Sequence, residues 1–383
     1  MPRVVVAPDK FKGSLTAPEA ARAMARGVGL AWPDAEVNLV PMADGGEGTV
    51  EALVEATGGS FARAIVSGPL GDPVEARFGR LGDGSTAVLE MAAASGLALL
   101  PESRRDPLRA TTRGTGELLL AAMTAGARTV ILGIGGSATN DGGAGLAQAL
   151  GYRLLDRDGQ DLPPGGGSLD RLDRIEPKVI SSRLKRVAVR VACDVSNPLC
   201  GATGASFVYG PQKGATEDDV RRLDANLAHY ARVVARDLGI EVADIAGSGA
   251  AGGLGAGLIA FAGGSLVPGI DLVIEAVGLP NRIRGADLVL TGEGTIDAST
   301  AYGKAPRGVA GLARSLGVPC LAIGGQLGDG ANVLHNLGID AFASIAPGPG
   351  PIEEAMAQAG PRLALATEQL VRVFLSGRRG HLT

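Results

Sequence analysis

The sequence predicts an α/β fold, a flavodoxin-like parallel sheet into which a second α/β domain is inserted. Three observations carry this. Short β-branched runs lead through polar, glycine-rich loops into helical stretches; such βα units occur twice near the N-terminus and three times near the C-terminus; and the roughly 220 residues between them carry strands and helices of their own.

Val4–Ala7 is the first such run, and Thr16 to Glu19 has the capping-box spacing before an alanine-rich helix. Glu36–Pro41 reads as the second strand, followed by the polar segment Met42–Gly48 and a helix over 49–57. Late in the chain Ala286–Leu290, Pro319–Ile323 and Ala341–Ala346 are apolar runs, with helices expected over 305–316 and 330–337. Two strands from one end and three from the other complete a parallel sheet of order 2-1-3-4-5. On this reading residues 1–61 and 285–383 form the flavodoxin-like domain and 62–284 the insertion. Within the insertion, strands are expected at 87–91, 129–134 and 187–193 and helices at 115–125, 143–150 and 217–237. Pro163–Gly167 reads as a surface turn, and no repeat of solenoid or propeller period is visible.

Composition narrows the function. The 383 residues include 60 glycines but only 3% aromatic side chains, which favours sites built from backbone over aromatic platforms. With 36 Lys plus Arg against 40 Asp plus Glu, the net charge of -4 offers no basic excess for nucleic acid. Cys193, Cys200 and Cys320 lack CxxC spacing, which fits a reducing compartment and argues against disulfides and structural zinc. MPRVVVAPDK lacks the core of a signal peptide and no run reaches 18 apolar residues, so a cytoplasmic protein without a membrane span is expected.

In an open parallel sheet, ligands gather beyond the carboxyl ends of the strands where strand order reverses. The segments expected there are Asp9, Lys10, Lys12 and Ser14 after the first strand, and the loop Thr291–Asp297, with Gly292, Glu293 and Asp297, after the third. Their lysines could hold phosphate or carboxylate, and their acids a metal ion or a proton. Asp44, Gly45, Gly46 and Glu47 follow the second strand. The glycines there free backbone N–H groups for an anion, and the acids could face a divalent ion or cap a turn.

Gly133–Gly143 follows the β-branched run Thr129–Leu132 and opens onto a helix, which makes Gly135, Gly136, Ser137 and Asn140 the best phosphate-loop candidates. Asp194 and Asn197 end another apolar run, where the acid is either functional or a cap. Lys213, in the turn Gly210–Gly214, reads from its surroundings alone as a solvated loop lysine. Gly247–Gly252 satisfies GxGxxG, but Glu241–Ala246 before it makes a feeble strand. No GxxxxGK[ST] occurs, since Lys304 lacks the spacing and the hydroxyl, and His229, His335 and His381 are scattered without HExxH or triad context. Acids, lysines and glycine loops are the inventory of phosphoryl transfer.

Eight ordered blocks carry a resemblance: APDKFKGSLTA at 7–17, PMADGGEGT at 41–49, GTGELL at 114–119, GGSATNDGG at 135–143, ACDVSNPLCG at 192–201, GPQKGA at 210–215, GAAGGLGAG at 249–257 and the GEG block at 292. In these the chain resembles the type I glycerate kinases, non-P-loop bacterial enzymes, nearly end to end. The resemblance implies ATP and Mg²⁺, D-glycerate as acceptor, 2-phosphoglycerate as product, and a bilobed molecule with a cleft. It leaves room for a homodimer. It also implies that Asp194 or Asp297 accepts the hydroxyl proton, that Lys10, Lys12 and Lys304 neutralise carboxylate and phosphate, and that Asp44, Glu47 and Glu293 place Mg²⁺. Asp9, Ser14, Gly45, Gly46, Gly135, Gly136, Ser137, Asn140, Asn197, Lys213 and Gly292 then contact substrate or nucleotide. Similar proteins usually show GEGRIDxQT where this chain has Thr295 and Ser299 at the Arg and Gln positions, which bears on substrate range or phosphate contacts but not on Glu293 or Asp297, which match. A nicotinamide-dependent oxidoreductase and a non-catalytic organic-acid-binding protein are the rival readings.

Overall fold

The computed structural model describes residues 1–177, 184–301, 303–346, 348 and 351–379. Among these the strands are, in chain order, β1 (Arg3–Val6), β2 (Glu36–Leu39), β3 (Ser60–Ser67), β4 (Pro73–Arg80), β5 (Thr86–Glu90), β6 (Thr129–Gly133), β7 (Tyr152–Leu155), β8 (Arg174–Pro177), β9 (Ala188–Ala192), β10 (Ser265–Val267), β11 (Leu288–Ile296), β12 (Cys320–Leu327) and β13 (Ala341–Ser344). Packing divides the chain into two units. Met1–Asp44, Glu51–Gly58 and Ile270–Thr383 make up one, and Gly45–Val50 with Gly59–Gly269 the other.

The first unit holds a five-stranded sheet of order β13-β12-β11-β1-β2 with every pairing parallel, the 2-1-3-4-5 arrangement that the βα grammar implies. Thr16 starts the helix Ala17–Ala31 with a capping box: its Oγ1 accepts from Glu19 N at 3.3 Å, and Glu19 accepts from Thr16 N at 2.8 Å. The apolar face of that helix, with Ala20, Met24 and Val28, packs on Val4, Val6, Leu290 and Leu363. Gly27 lets the helix Ala359–Arg379 approach closely, since a Cβ there would lie 2.3 Å from Ala364 O.

Two expectations are corrected in this unit. Thr291–Ile296 is not a loop but the second half of β11, with Gly292 opposite Ile323, Glu293 opposite Gly324 and Thr295 opposite Gln326. The strand extends because β12 runs beside it as far as Leu327, opposite Ile296, and Gly292 suits the tight ladder, where a Cβ would come within 2.2 Å of Ile323 O. The segment expected as a helix over 330–337 is a 3-10 helix, Ala331–Leu337, bounded by the left-handed Gly330 and Gly338.

The second unit is built on a six-stranded sheet of order β10-β9-β6-β5-β4-β3. Its first four strands are parallel, and β5, β6 and β9 lie where the sequence places them. The antiparallel β3–β4 hairpin, turned at Gly68–Asp72 through a 2.7 Å bond from Gly68 N to Asp72 O, was not anticipated. The helices Arg113–Thr124, Ala144–Ala149 and Glu217–Leu238 match the expected segments, and Leu89, Leu132, Val191, Leu118, Leu227 and Phe261 share one core.

No strand forms over Glu241–Ala246, so the GxGxxG match lacks the context that a dinucleotide fingerprint needs. Ala251, Gly252 and Gly253 instead take left-handed conformations at the start of the helix Ala250–Ala262. That brings Gly252 against the 133–143 loop, where a Cβ would meet Thr139 O at 1.9 Å. Among the described residues, no helix is long and apolar enough to cross a membrane.

Candidate active site

In the first unit, β1 lies between β11 and β2, so Asp9 and Asp44, beyond the carboxyl ends of β1 and β2, collect with Glu293, in the carboxyl half of β11. Asp9 is tied into this end by its N–H to Gly292 O at 2.8 Å, and Met42 N donates to Pro8 O at 2.8 Å just before Asp44. Asp9 is buried, at 6% exposure, and accepts from Lys10 N at 2.6 Å. Burial first, and the Asp44 carboxylate second, push its carboxyl up to about 7.

Glu293 is also buried. Burial raises its carboxyl, and a 2.6 Å hydrogen bond from Thr300 Oγ1 to Oε1 and the Lys304 ammonium, 3.2 Å from Oε2, pull it back. Both of its oxygens thus have a partner on the segment that follows β11. Asp297 is held below the ordinary carboxylate range by Ser299, whose Oγ and N donate to Oδ1 at 2.5 and 2.8 Å. Lys12 is exposed, Lys10 half-buried, and Ser14 Oγ donates to Phe11 O at 3.0 Å. Gly294 keeps the approach to Lys12 N open, with 3.1 Å to an added Cβ.

In the second unit, Gly45 packs on β9 so closely that a Cβ would lie 2.5 Å from that of Ala192, and a Cβ on Gly133 would lie 2.5 Å from Gly45 O. Gly46 O accepts from Thr49 Oγ1 at 2.6 Å, Val50 N donates to Glu90 Oε1 at 3.0 Å, and Glu47 is exposed. Gly135 and Gly136 are exposed in the 133–143 loop, while Ser137 and Asn140 are buried. The loop is pinned by Leu97 N to Gly136 O at 2.8 Å and by Ala138 N to Ser95 O at 3.0 Å.

Beneath the loop, the buried Asp141 accepts from Thr112 N and Oγ1, Gly143 N and Gly145 N, at 2.9, 3.0, 3.1 and 3.2 Å. Asn140 Nδ2 donates to Ser206 Oγ at 2.8 Å, and its buried Oδ1 has no partner among the described residues. Lys213 is not the solvated lysine its turn suggests. It is 1% exposed and donates from Nζ to Ser137 Oγ at 2.8 Å and to Thr139 O at 2.7 Å. Asp194 is exposed and accepts from Gly269 N at 2.9 Å. Asn197 is spent within its own turn, donating to Thr203 O and accepting from Tyr209 OH, both at 2.7 Å.

Sequence reasoning did not single out Thr300, Thr112 or Ser206. Each partners a candidate residue, and none stands in a charged pattern that would have flagged it. His229 and His335 face the carbonyls of Leu172 and Ile339, at 2.7 and 2.8 Å, while His381 lies outside the described residues.

Among the described residues, no group of three His, Cys, Asp or Glu is arranged to hold a metal ion by itself. Asp9 and Asp44 nevertheless fit a hard divalent cation. They are oxygen donors whose mutual repulsion, expressed in the raised Asp9 carboxyl, such a charge would relieve. One or two carboxylates, with phosphate oxygens and water completing the shell, is how Mg²⁺ is ordinarily bound.

A family profile described as the glycerate kinase family matches residues 4–375. Glycerate kinase of Bacillus subtilis (strain 168) is 52% identical over 357 residues, covering 93% of this chain and 94% of the relative. Glycerate 2-kinase of Escherichia coli (strain K12) is 49% identical over 377 residues, covering 98% and 99%. A crystal structure from Salmonella typhimurium LT2, of a candidate glycerate kinase 2, superposes with a TM-score of 0.91 at 46% identity and 99% coverage of both chains. Matched by the family profile over residues 4–375 and by relatives about half identical over nearly the whole of both chains, the chain belongs to the glycerate kinase family.

Proposed function

We propose that this protein transfers the γ-phosphoryl group of ATP to the 2-hydroxyl of D-glycerate, giving ADP and 2-phosphoglycerate, in the cytoplasm. The observation that carries the reading is the Lys304–Glu293–Thr300 arrangement at the carboxyl end of β11, beside the buried Asp9, in a chain of this family. A phosphoryl transfer of this kind asks the protein mainly for positioning and charge neutralisation. Lys304, held by Glu293, supplies a fixed cation for a transferring phosphoryl oxygen or for the glycerate carboxylate. Lys10 and Lys12 add positive charge at the end of β1. The glycine loops at 45–46 and 135–136 offer backbone N–H groups to anionic oxygens.

In the reaction the acceptor oxygen forms a bond to Pγ, the bond from Pγ to the β,γ-bridging oxygen breaks, and the hydroxyl proton passes to a carboxylate and then to solvent. Asp194 or Asp297 would accept that proton; Ser299 lowers the basicity of Asp297, which weighs against it. Asp9 and Asp44 would hold Mg²⁺, which would neutralise charge shared by the β- and γ-phosphate oxygens. ADP release measured by a coupled assay with ATP, Mg²⁺ and D-glycerate tests the reading; turnover that does not depend on glycerate would overturn it.

A further inference from the structure

Lys213 is the one candidate cation that the structure describes as fully buried, at 1% exposure, and so its ammonium does not meet a ligand directly. Burying an ammonium is costly, and the cost is offset only where its protons are taken up by directed hydrogen bonds. Two of its three protons go to the 133–143 loop, to Ser137 Oγ at 2.8 Å and Thr139 O at 2.7 Å. Burial pushes the Lys213 amine down to about 7, and Asp141, whose carboxylate accepts from four donors of its own, pulls it back towards the charged form.

A serine hydroxyl carries one proton and two lone pairs. As an ammonium Lys213 is donor only, so its bond to Ser137 Oγ occupies a lone pair of that oxygen and leaves the Ser137 proton to be given elsewhere. Ser137 follows directly on the exposed Gly135 and Gly136, and the loop cannot drift, being pinned by Leu97 N on Gly136 O, by Ala138 N on Ser95 O and by Asn140 on Ser206.

We propose that Lys213 is a positioning residue that fixes and polarises Ser137, so that the Ser137 hydroxyl donates to an anionic oxygen of the ligand, a glycerate carboxylate or a nucleotide phosphate. The inference rests on the kinase reading. It assigns the lysine a role one bond removed from the ligand, where the resemblance would make it a direct contact. A hydroxyl that accepts from an ammonium is a stronger donor than an isolated one, and the chain of two hydrogen bonds carries charge to the anion without exposing the cation to water.

The test compares the wild type with K213M, S137A and the double variant, measuring calorimetric binding of ATP and of D-glycerate alongside kcat and KM. Met keeps the length of the stem and removes the donors. The expected result is that K213M and S137A each weaken binding of the same one of the two ligands by roughly 10- to 100-fold. The double variant should be little worse than either, and kcat should fall less than KM rises. Unchanged binding in K213M, losses falling on different ligands, or losses that multiply in the double variant would overturn the inference while leaving the kinase reading intact. A wild type that binds neither ligand would end both. If K213M fails to fold, S137T decides: it should restore the binding that S137A loses, and S137A binding like the wild type would overturn the proposal.

Discussion

The Lys304 ammonium lies 3.2 Å from Oε2 of Glu293, whose other oxygen accepts from Thr300, so the lysine is oriented by a carboxylate that is itself held in place. The pair is unequal in exposure: the Glu293 side chain is 10% exposed and that of Lys304 is 30% exposed. Such an arrangement anchors a cation from the buried side and leaves its outer face to a ligand. It follows that E293Q, which keeps the shape but not the charge, should lower kcat/KM by roughly 10- to 100-fold, and K304M by at least as much. Thermal midpoints should move little for K304M, since a partly exposed ion pair contributes little to stability. Steady-state kinetics together with thermal unfolding of both variants check this.

Asp9 makes the fold weaker as the pH rises. Its folded-state carboxyl, pushed to about 7 by burial and Asp44, lies above the ordinary value of 3.8, so the native state binds a proton that the unfolded chain lacks between those values. Stability is therefore lost as pH climbs through that window, and the full cost is present above about 7. Removing the charge with D9N should leave stability nearly unchanged at pH 4 and raise it by roughly 1 to 3 kcal/mol at pH 8 without Mg²⁺, at the expense of activity. Denaturant melts at the two pH values in the presence of a chelator measure the difference.

Two glycines separate conformational need from close approach. Gly252 and Gly263 are both left-handed, with φ of +69° and +62°, but a Cβ at Gly252 would meet Thr139 O at 1.9 Å whereas at Gly263 nothing among the described residues lies within 4 Å. G263A should cost about 1 kcal/mol from backbone strain alone. G252A should cost at least about 2 kcal/mol more, because the 133–143 loop must shift to admit the methyl group. Equal losses in urea titrations would show that the loop does not rest on this glycine.

Asp194 and Asp297 are distinguished by their surroundings. Ser299 and the neighbouring Lys304 keep Asp297 a weak base, whereas Asp194 is exposed with one oxygen on Gly269 N. D194N should cost roughly 10²- to 10⁴-fold in kcat and D297N less than about 10-fold. The reverse order in single-turnover measurements would move the proton acceptor to Asp297.

The features legible in the sequence were those written within a short span. The Thr16–Glu19 capping box, the helix Thr49–Thr57 and the five βα strands of the first sheet each announce themselves within about ten residues, and their order then follows from the grammar of open sheets. The β3–β4 hairpin was missed because arginines and glutamate interrupt its apolar positions, so it lacks a compact β-branched run. The second half of β11 looks like a loop in sequence because Gly292 and Gly294 signal turns locally, while the partner that makes them strand, β12, lies some thirty residues on. Lys213 shows the same limit at the site. Its acceptors are 74 and 76 residues away in the chain, so nothing near GPQKGA marks it as buried. Glu293 and Asp9 were found as candidates because acids at strand ends stand out; that Thr300 fixes Glu293 is visible only once the chain is folded.

Phosphorus–carbon coupling in the product tests the central claim most directly. With uniformly ¹³C-labelled D-glycerate, ATP and Mg²⁺, the account predicts a new phosphate ester whose two-bond coupling falls on C2, formed one for one with ADP. Coupling that falls on C3 would contradict the assignment of the 2-hydroxyl, and the absence of any phosphorylated glycerate would contradict the kinase reading itself.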